Sequence, residues 1–489
     1  MVNKRCVSTC KQFTKKECNP PRCAYVNGNM RKYCRLSSKY IMRKPSCSVT
    51  RRIKVGSKES QARKQIALFL GRTGKVLELI CTNSGECLTF GKKIDEITSF
   101  FKGFTDFEYA IGPIIPLGKP STNGFVKEIT YERSGYKAYA ALKSSQDKSS
   151  DNLLYEYLVG VKFINRVMKR FPCFLQTYGS YFYKTDADRR AIKNTTPLNT
   201  TVLDGLVPES SIRYSKACKD SILCAVLIQH IHSAKSMHDM IVSYSEFCKN
   251  DSIYMLFIVY QALSMLRKQF THYDLHDDNV LIVQPNPSHY YLYKYHLLDG
   301  TTIEFKSTYI PKIIDYGRCF FDNGNTNSKK IYSKICDTRE CDPCGEDSGF
   351  QWLEKPATYG ISSQQKNESH DLRLLQMLKM RFKKEDASGK TKPNTPIFIE
   401  LDNMLNKVIY GVGISNPAHQ IYGTKENLKL HPNKSKIANV TDAYEYLKYV
   451  VRKPEIIQYN NNLFDVTKKM GGIFHIYEDE RNMVVDIIR

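Results

Sequence analysis

Thr271-His272-Tyr273-Asp274-Leu275-His276-Asp277-Asp278-Asn279-Val280-Leu281-Ile282 puts a carboxylate, Asp274, and a carboxamide, Asn279, five positions apart in one stretch. It follows a helical apolar pattern over 252–270 and leads into an apolar strand. A carboxylate so placed can accept or orient the proton of an attacking hydroxyl, and an amide oxygen is a neutral ligand that hard Mg²⁺ accepts. Downstream, Lys312-Ile313-Ile314-Asp315-Tyr316-Gly317 is an apolar strand that delivers a second carboxylate into a glycine turn. Asp315 thereby joins Asn279 as a candidate metal ligand able to bridge phosphate oxygens. Short D-x-x-x-x-N matches arise by chance. Both pieces in this order, each beside an apolar strand, point to phosphoryl transfer rather than to a capped turn.

Outward from this pair, the chain changes texture twice. Upstream, 125–131 and 136–143 are short, β-branched and aromatic, with turn signals between them, and read as strands, as do 176–183 and 223–229. Asp151-Asn152 signals the N-cap of a helix running through 166, and the polar stretch 184–215 reads as a surface insertion. Beyond 231 helical patterns dominate. They are interrupted by a strand-rich patch over 290–305, where Asp299-Gly300 sits between two alternating runs as a hairpin turn would. A strand-rich smaller part therefore precedes a larger helical one.

With these residues in place, the loop resembles the protein-kinase catalytic loop, H-R-D-x-x-x-x-N, and Asp315-Tyr316-Gly317 resembles its D-F-G. Ala140-Ala141-Leu142-Lys143 is similar to the V-A-I-K strand, which implies that Lys143 meets the α/β-phosphates of ATP. Glu156 is similar to the helix-borne ion-pair partner of that lysine, and Ser369-His370-Asp371-Leu372 to the buried aspartate that braces the catalytic loop. Val226-Leu227-Ile228-Gln229-His230-Ile231 resembles the hinge, which makes Gln229 and Ile231 candidate nucleotide contacts. The resemblance spans roughly 105–410 and implies an α+β, bilobal protein-kinase-like fold. The expected organisation is a basic cysteine-rich segment over 1–60, a helical linker over 61–100, an N-lobe with hinge over 101–231, and a C-lobe with extension over 232–489. The motif wording is closest to serine/threonine kinases of large cytoplasmic DNA viruses, of the iridovirus kind. The segment holding Cys10, Cys18, Cys23 and Cys34 is similar to the two-cysteine adaptor module fused to such kinases.

The chain departs from that family at several points. Tyr273 stands where many kinases carry arginine, and His276 where serine/threonine kinases carry lysine. Small-molecule kinases of the aminoglycoside and choline type write the same D-L-H. His276 is expected to donate to the transferring phosphoryl group, and His272 to hold the loop by hydrogen bonding. The stretch Leu117-Gly118-Lys119-Pro120-Ser121-Thr122-Asn123-Gly124-Phe125 keeps two glycines, Gly118 and Gly124, rather than G-x-G-x-x-G. Two glycines still let backbone N–H groups approach a phosphate.

Composition bounds the rest. Over 489 residues, 42% are apolar and 25% charged, which is ordinary for a globular chain and excludes wholesale disorder. No run of about eighteen apolar residues and no N-terminal apolar leader is present, so a cytoplasmic protein, or a virion one if viral, is expected. The net charge is +24, and sixteen Lys/Arg against two acids fall in the first sixty residues. That skew suits nucleic acid or an acidic partner, and equally a solvated arm. Most of the sixteen cysteines are expected as thiols. Cys336, Cys341 and Cys344, with Cys319 as nearest fourth ligand, are a candidate structural Zn²⁺ set, as are the N-terminal cysteines. Three functions stay open: an ATP- and Mg²⁺-dependent (or Mn²⁺-dependent) serine/threonine kinase acting on proteins, a small-molecule phosphotransferase, and a catalytically dead scaffold.

Overall fold

The computed structural model describes residues 87, 91, 94–118, 124–145, 153–193, 196–209, 221–232, 234–335, 364–410, 436–464 and 468–479, with 23–27, 32–36 and 486–488 as backbone. The chain divides into two units, Met1–Lys58 and Glu59–Arg489. In the first, β1 (Cys23–Asn27) and β2 (Lys32–Leu36) form an antiparallel hairpin that pairs Asn27 with Lys32. Most of the helical linker expected over 61–100 lies outside the described residues.

The second unit opens with α1 (Ile94–Phe100), whose Ile94, Ile97 and Phe100 recur at helical spacing and bury against the core. The end of the segment expected as a linker is thus built into the unit. A sheet follows from β3 (Ala110–Leu117), β4 (Gly124–Arg133) and β5 (Tyr136–Ser145). Helix α2 (Leu153–Val159) continues through a π-turn (Gly160–Ile164) into a last helical turn (Asn165–Val167). Next come β6 (Thr177–Tyr183), α3 (Asp186–Lys193), β7 (Leu206–Pro208) and β8 (Cys224–His230). The six strands run in the order β3-β4-β5-β8-β6-β7, with every neighbour antiparallel. The stretch expected as a surface insertion therefore returns to the sheet. It adds β7 at one edge and bridges Leu198 to Ile114 of β3.

Beyond Ile231 come β9 (Lys235–Ser236), α4 (Met237–Ile241), α5 (Glu246–Asn250) and α6 (Ser252–Leu266). Helix α6 is apolar on all sides and nearly all of it is buried, as a central helix should be. Then follow β10 (Phe270–Thr271), β11 (Val280–Val283), β12 (His289–His296), β13 (Thr302–Ser307), β14 (Ile310–Ile313), β15 (Phe320–Phe321) and α7 (Ser328–Ile335). Helices α8 (Arg373–Ala387), α9 (Pro396–Lys407), α10 (Val440–Val450) and α11 (Pro454–Leu463) precede β16 (Lys469–Tyr477) and β17 (Asp486–Ile488). Antiparallel pairing of β11 with β14 brings Val280 opposite Ile313, so the ends of the Asn279 and Asp315 segments meet. Strands β12 and β13 are the hairpin read around Asp299-Gly300, with Gly300 at φ +77°. The C-terminal strand β16 adds to it in parallel. Among the described residues, no helix is long and apolar enough to cross a membrane. Cys87 is disulfide-bonded, while Cys173, Cys224, Cys248 and Cys319 are thiols.

Candidate active site

Lys143 points from β5 toward α2, where its Nζ lies 2.7 and 2.9 Å from the two carboxylate oxygens of Glu156. The same ammonium reaches Asp315 Oδ1 at 3.2 Å, 172 positions along the chain. Glu156 is buried, its side chain 1% exposed, so this is an ion pair sheltered from solvent. Helix α2 is fixed in reach by close packing. A Cβ at Gly160 would fall 2.0 Å from Thr177 Oγ1 on β6, and only glycine permits that approach. Asn165 then exchanges two bonds with the Thr177 backbone, donating to its carbonyl at 2.7 Å and accepting its N–H at 2.8 Å. On its other side, the Tyr155 hydroxyl donates to the Cys319 carbonyl at 2.5 Å, and its ring stacks on Tyr332 of α7. The helix that carries Glu156 is thus tied both to the sheet and to the segment after Asp315.

Asp315 takes a left-handed backbone, φ +68°, as it leaves β14. Desolvation, the largest single influence, would raise its carboxyl; the charge and hydrogen bond of Lys143, with smaller contributions from neighbouring groups including Arg318, together outweigh that and hold its pKa below the ordinary value. Tyr316 is buried under it, its hydroxyl donating to the Ile313 carbonyl at 2.7 Å and accepting the Leu175 N–H at 3.1 Å. Across from it, the Asn279 amide nitrogen donates to the Asp274 carbonyl at 2.9 Å. That orientation leaves the amide oxygen as the group able to coordinate a cation.

The loop carrying Asp274 is held from below. Asp371 accepts the backbone N–H groups of His272 at 2.8 Å and Tyr273 at 2.9 Å. His272 is fully buried and donates Nε2–H to the Ile314 carbonyl at 2.9 Å, joining the loop to the Asp315 strand. Burial lowers its pKa to about 4, so it is neutral. Tyr273, at φ +64°, is buried and its hydroxyl donates to the Gln365 carbonyl at 2.7 Å. His276 Nδ1 accepts the Asp278 N–H at 3.3 Å, capping a single 3₁₀ turn, and its Nε2 lies 3.9 Å from Asp274 Oδ1.

The remaining candidates divide. Gly118 has φ +66°, and a Cβ at Gly124 would fall 2.4 Å from the Ser144 carbonyl oxygen, so both positions require glycine; 119–123 lie outside the described residues. Gln229 is bonded to Gln176. Its N–H donates to the Gln176 carbonyl at 2.7 Å and its side-chain oxygen accepts the Gln176 N–H at 3.2 Å, as befits a polar side chain buried within the sheet. Ile231 is buried, its carbonyl accepting the Ala234 N–H at 3.1 Å. The buried Cys319 thiol, its pKa pushed well up by burial, donates to the His272 carbonyl. Cys336, Cys341, Cys344 and the N-terminal cysteine side chains lie outside the described residues.

Several partners had no motif to announce them. Arg373 Nη1 lies 2.6 Å from Asp274 Oδ1, and Arg318 Nε lies 3.8 Å from Asp274 Oδ2. Arg381 Nε and His238 Nδ1 both lie 3.1 Å from Oδ2 of the buried Asp277. At the end of β8, His230 and His232 lie 2.9 and 2.8 Å from the buried Glu128 carboxylate of β4. A cavity of about 680 Å³ beside β7, lined by Asp106, Glu108, Lys184 and Asp204 among others, contains none of the candidate residues.

No family model matches the chain. No curated protein matches it. Among solved structures, the crystal structure of a kinase domain matches at 15% identity with a TM-score of 0.28, over 72% of this chain and 86% of that one.

Proposed function

We propose that the chain is a protein-kinase-type phosphotransferase, with the six-stranded sheet as a small lobe and the helices beyond Ile231 as a larger one. It would move the γ-phosphoryl group of ATP to a serine or threonine hydroxyl of a protein. The observation that carries this reading is the convergence of Lys143, Glu156 and Asp315 on one ammonium group. A buried ion pair contributes little net stability, so one shared with a half-exposed third charge is better explained by a site than by the fold.

In this reading Glu156 aims Lys143 at phosphate oxygens, and the Asn279 amide oxygen and Asp315 carboxylate hold Mg²⁺ or Mn²⁺. Both are hard oxygen ligands that fit such an ion. When bound, the metal neutralises charge on the phosphates and the departing ADP. Asp274 orients the acceptor hydroxyl. The acceptor oxygen forms its bond to the γ-phosphorus as the bridging P–O bond breaks, its electron pair leaves with ADP, and the hydroxyl proton passes to the Asp274 carboxylate. His276 Nε2 faces the same carboxylate and is a further donor toward the phosphoryl group. The basic 1–60 segment would serve location or partner choice, toward nucleic acid or an acidic protein.

The test incubates the full chain with ATP labelled at the γ-phosphate, with Mg²⁺ or Mn²⁺, a kinase-inactivated protein extract, and a panel of small alcohols and aminoglycosides. Label on protein serine or threonine is expected. Label on small molecules alone would replace the acceptor, and no transfer to any acceptor would refute the reading.

A further inference from the structure

The loop that presents Asp274 has no standing cation of its own. Residues 271–282 contain no lysine or arginine. His276 Nδ1 accepts the Asp278 N–H. Positive charge arrives instead from outside the loop. Arg373, in the first turn of α8, sets Nη1 2.6 Å from Asp274 Oδ1, with its side chain 9% exposed. Two residues earlier, Asp371 accepts the N–H groups of His272 and Tyr273. One short stretch, 371–373, therefore holds the loop twice, at its backbone and at its functional carboxylate.

We infer that Arg373 is a positioning residue for Asp274. A charge-assisted bond from a planar, buried guanidinium fixes the carboxylate's rotamer more firmly than a loop side chain would. It occupies Oδ1 and leaves Oδ2 to meet an acceptor hydroxyl. Arg318 Nε stands 3.8 Å from Oδ2, beyond hydrogen-bond reach, so Oδ2 is less tightly held than Oδ1. An oriented carboxylate that need not be a strong base suits a loose phosphoryl-transfer transition state. The catalytic consequence rests on the phosphotransferase reading; the pairing itself does not.

The experiment compares wild type, Arg373→Lys, Arg373→Gln, Asp274→Asn and the double variant Asp274→Asn/Arg373→Gln, each as the full chain. Urea unfolding is the first readout. The double-variant cycle should depart from the product of the single effects on the unfolding constant by about fivefold or more. Turnover is the second. Arg373→Gln should lower kcat about ten- to a hundredfold with KM for ATP nearly unchanged, and Arg373→Lys should recover part of the loss. In the Asp274→Asn background the Gln substitution should cost nothing more. Multiplicative unfolding effects, or an Arg373→Gln enzyme of wild-type kcat, would overturn the inference. Should Arg373→Gln not fold, Arg373→Lys carries the same cycle. If wild type transfers phosphate to nothing, only the phosphotransferase reading falls, and the unfolding cycle still decides the pair.

Discussion

Replacing Lys143 by methionine removes the cation from a carboxylate whose side chain is 1% exposed, while the lysine itself is only 15% exposed. Methionine matches the stem of lysine in volume, so packing is nearly conserved and the loss is electrostatic. Breaking one side of a buried ion pair costs about 3–5 kcal/mol, against near neutrality when both partners are replaced by neutral groups. Lys143→Met should therefore destabilise the chain by about 3–5 kcal/mol, and Lys143→Met/Glu156→Gln should recover most of that loss. Glu156→Gln alone should be milder, because Lys143 keeps Asp315 at 3.2 Å. Urea unfolding followed by circular dichroism measures all four chains, with m-values checked for constancy. All three variants should lose most phosphotransfer. Two results would refute the reasoning: a Lys143→Met chain within about 1 kcal/mol of wild type, which is the range of an exposed pair, or no rescue by Glu156→Gln.

Asp274→Asn and Asp315→Asn should each lower transfer by roughly a thousandfold or more while circular dichroism stays unchanged, and near wild-type turnover in either would remove that residue from the mechanism. His272 titrates near 6.5 when unfolded and at about 4 when folded, so the unfolded state binds more protons between those values. Stability fully present above pH 6.5, about 3 kcal/mol, should be lost as the pH falls toward 4, and His272→Gln should flatten that part of the acid limb; equal urea midpoints shifts between pH 7 and pH 4.5 in both chains would contradict it. Gly160→Ala brings a Cβ to 2.0 Å from Thr177 Oγ1, so it should destabilise the chain by about 1–3 kcal/mol and weaken transfer by displacing Glu156, and unchanged urea unfolding would count against this packing. Removing residues 1–58 should leave transfer to a generic protein substrate intact and abolish any salt-sensitive nucleic-acid binding; a catalytically dead truncation would contradict a modular segment.

What the sequence showed of the fold was its local part. Strands β4 and β5 declare themselves by β-branched and aromatic runs between turns, and the β12–β13 hairpin by Asp299-Gly300, where Gly300 supplies the positive φ. Pairings between distant segments carry no such mark. Strand β16 joins β12 in parallel from the far end of the chain, and β7 joins β6 out of a stretch that reads as polar loop. Strand preference there is decided by the neighbouring strand and by burial, which a local pattern does not contain. Gln229, a candidate nucleotide contact through its resemblance to the hinge, also bonds Gln176 through both its backbone N–H and its side-chain oxygen, a pairing that no local pattern announces.

The site divides along the same line, for a chemical reason. In the phosphotransferase reading, metal ligands and an acceptor-orienting carboxylate must be of particular types at short spacing, which is why Asp274, Asn279 and Asp315 stand out of the sequence. Compensating charge has no such constraint, because any element that packs against the loop can bring it. Here the loop is acidic throughout, with Asp274, Asp277 and Asp278 and no lysine or arginine, and two of those acids are largely or fully buried. Left alone they would repel one another and resist burial. Helix α8 resolves this from one face. Arg373 meets Asp274, and Arg381, eight positions and hence about 12 Å further along the helix, meets Asp277. Residues eight apart stand about 80° apart around a helix, close enough for both arginines to reach the loop. The pattern was present in the sequence as Arg373 and Arg381 after His370-Asp371-Leu372. It becomes meaningful only once Asp371 docks the start of that helix under the loop, since the bracing aspartate also sets the register in which both arginines reach their partners.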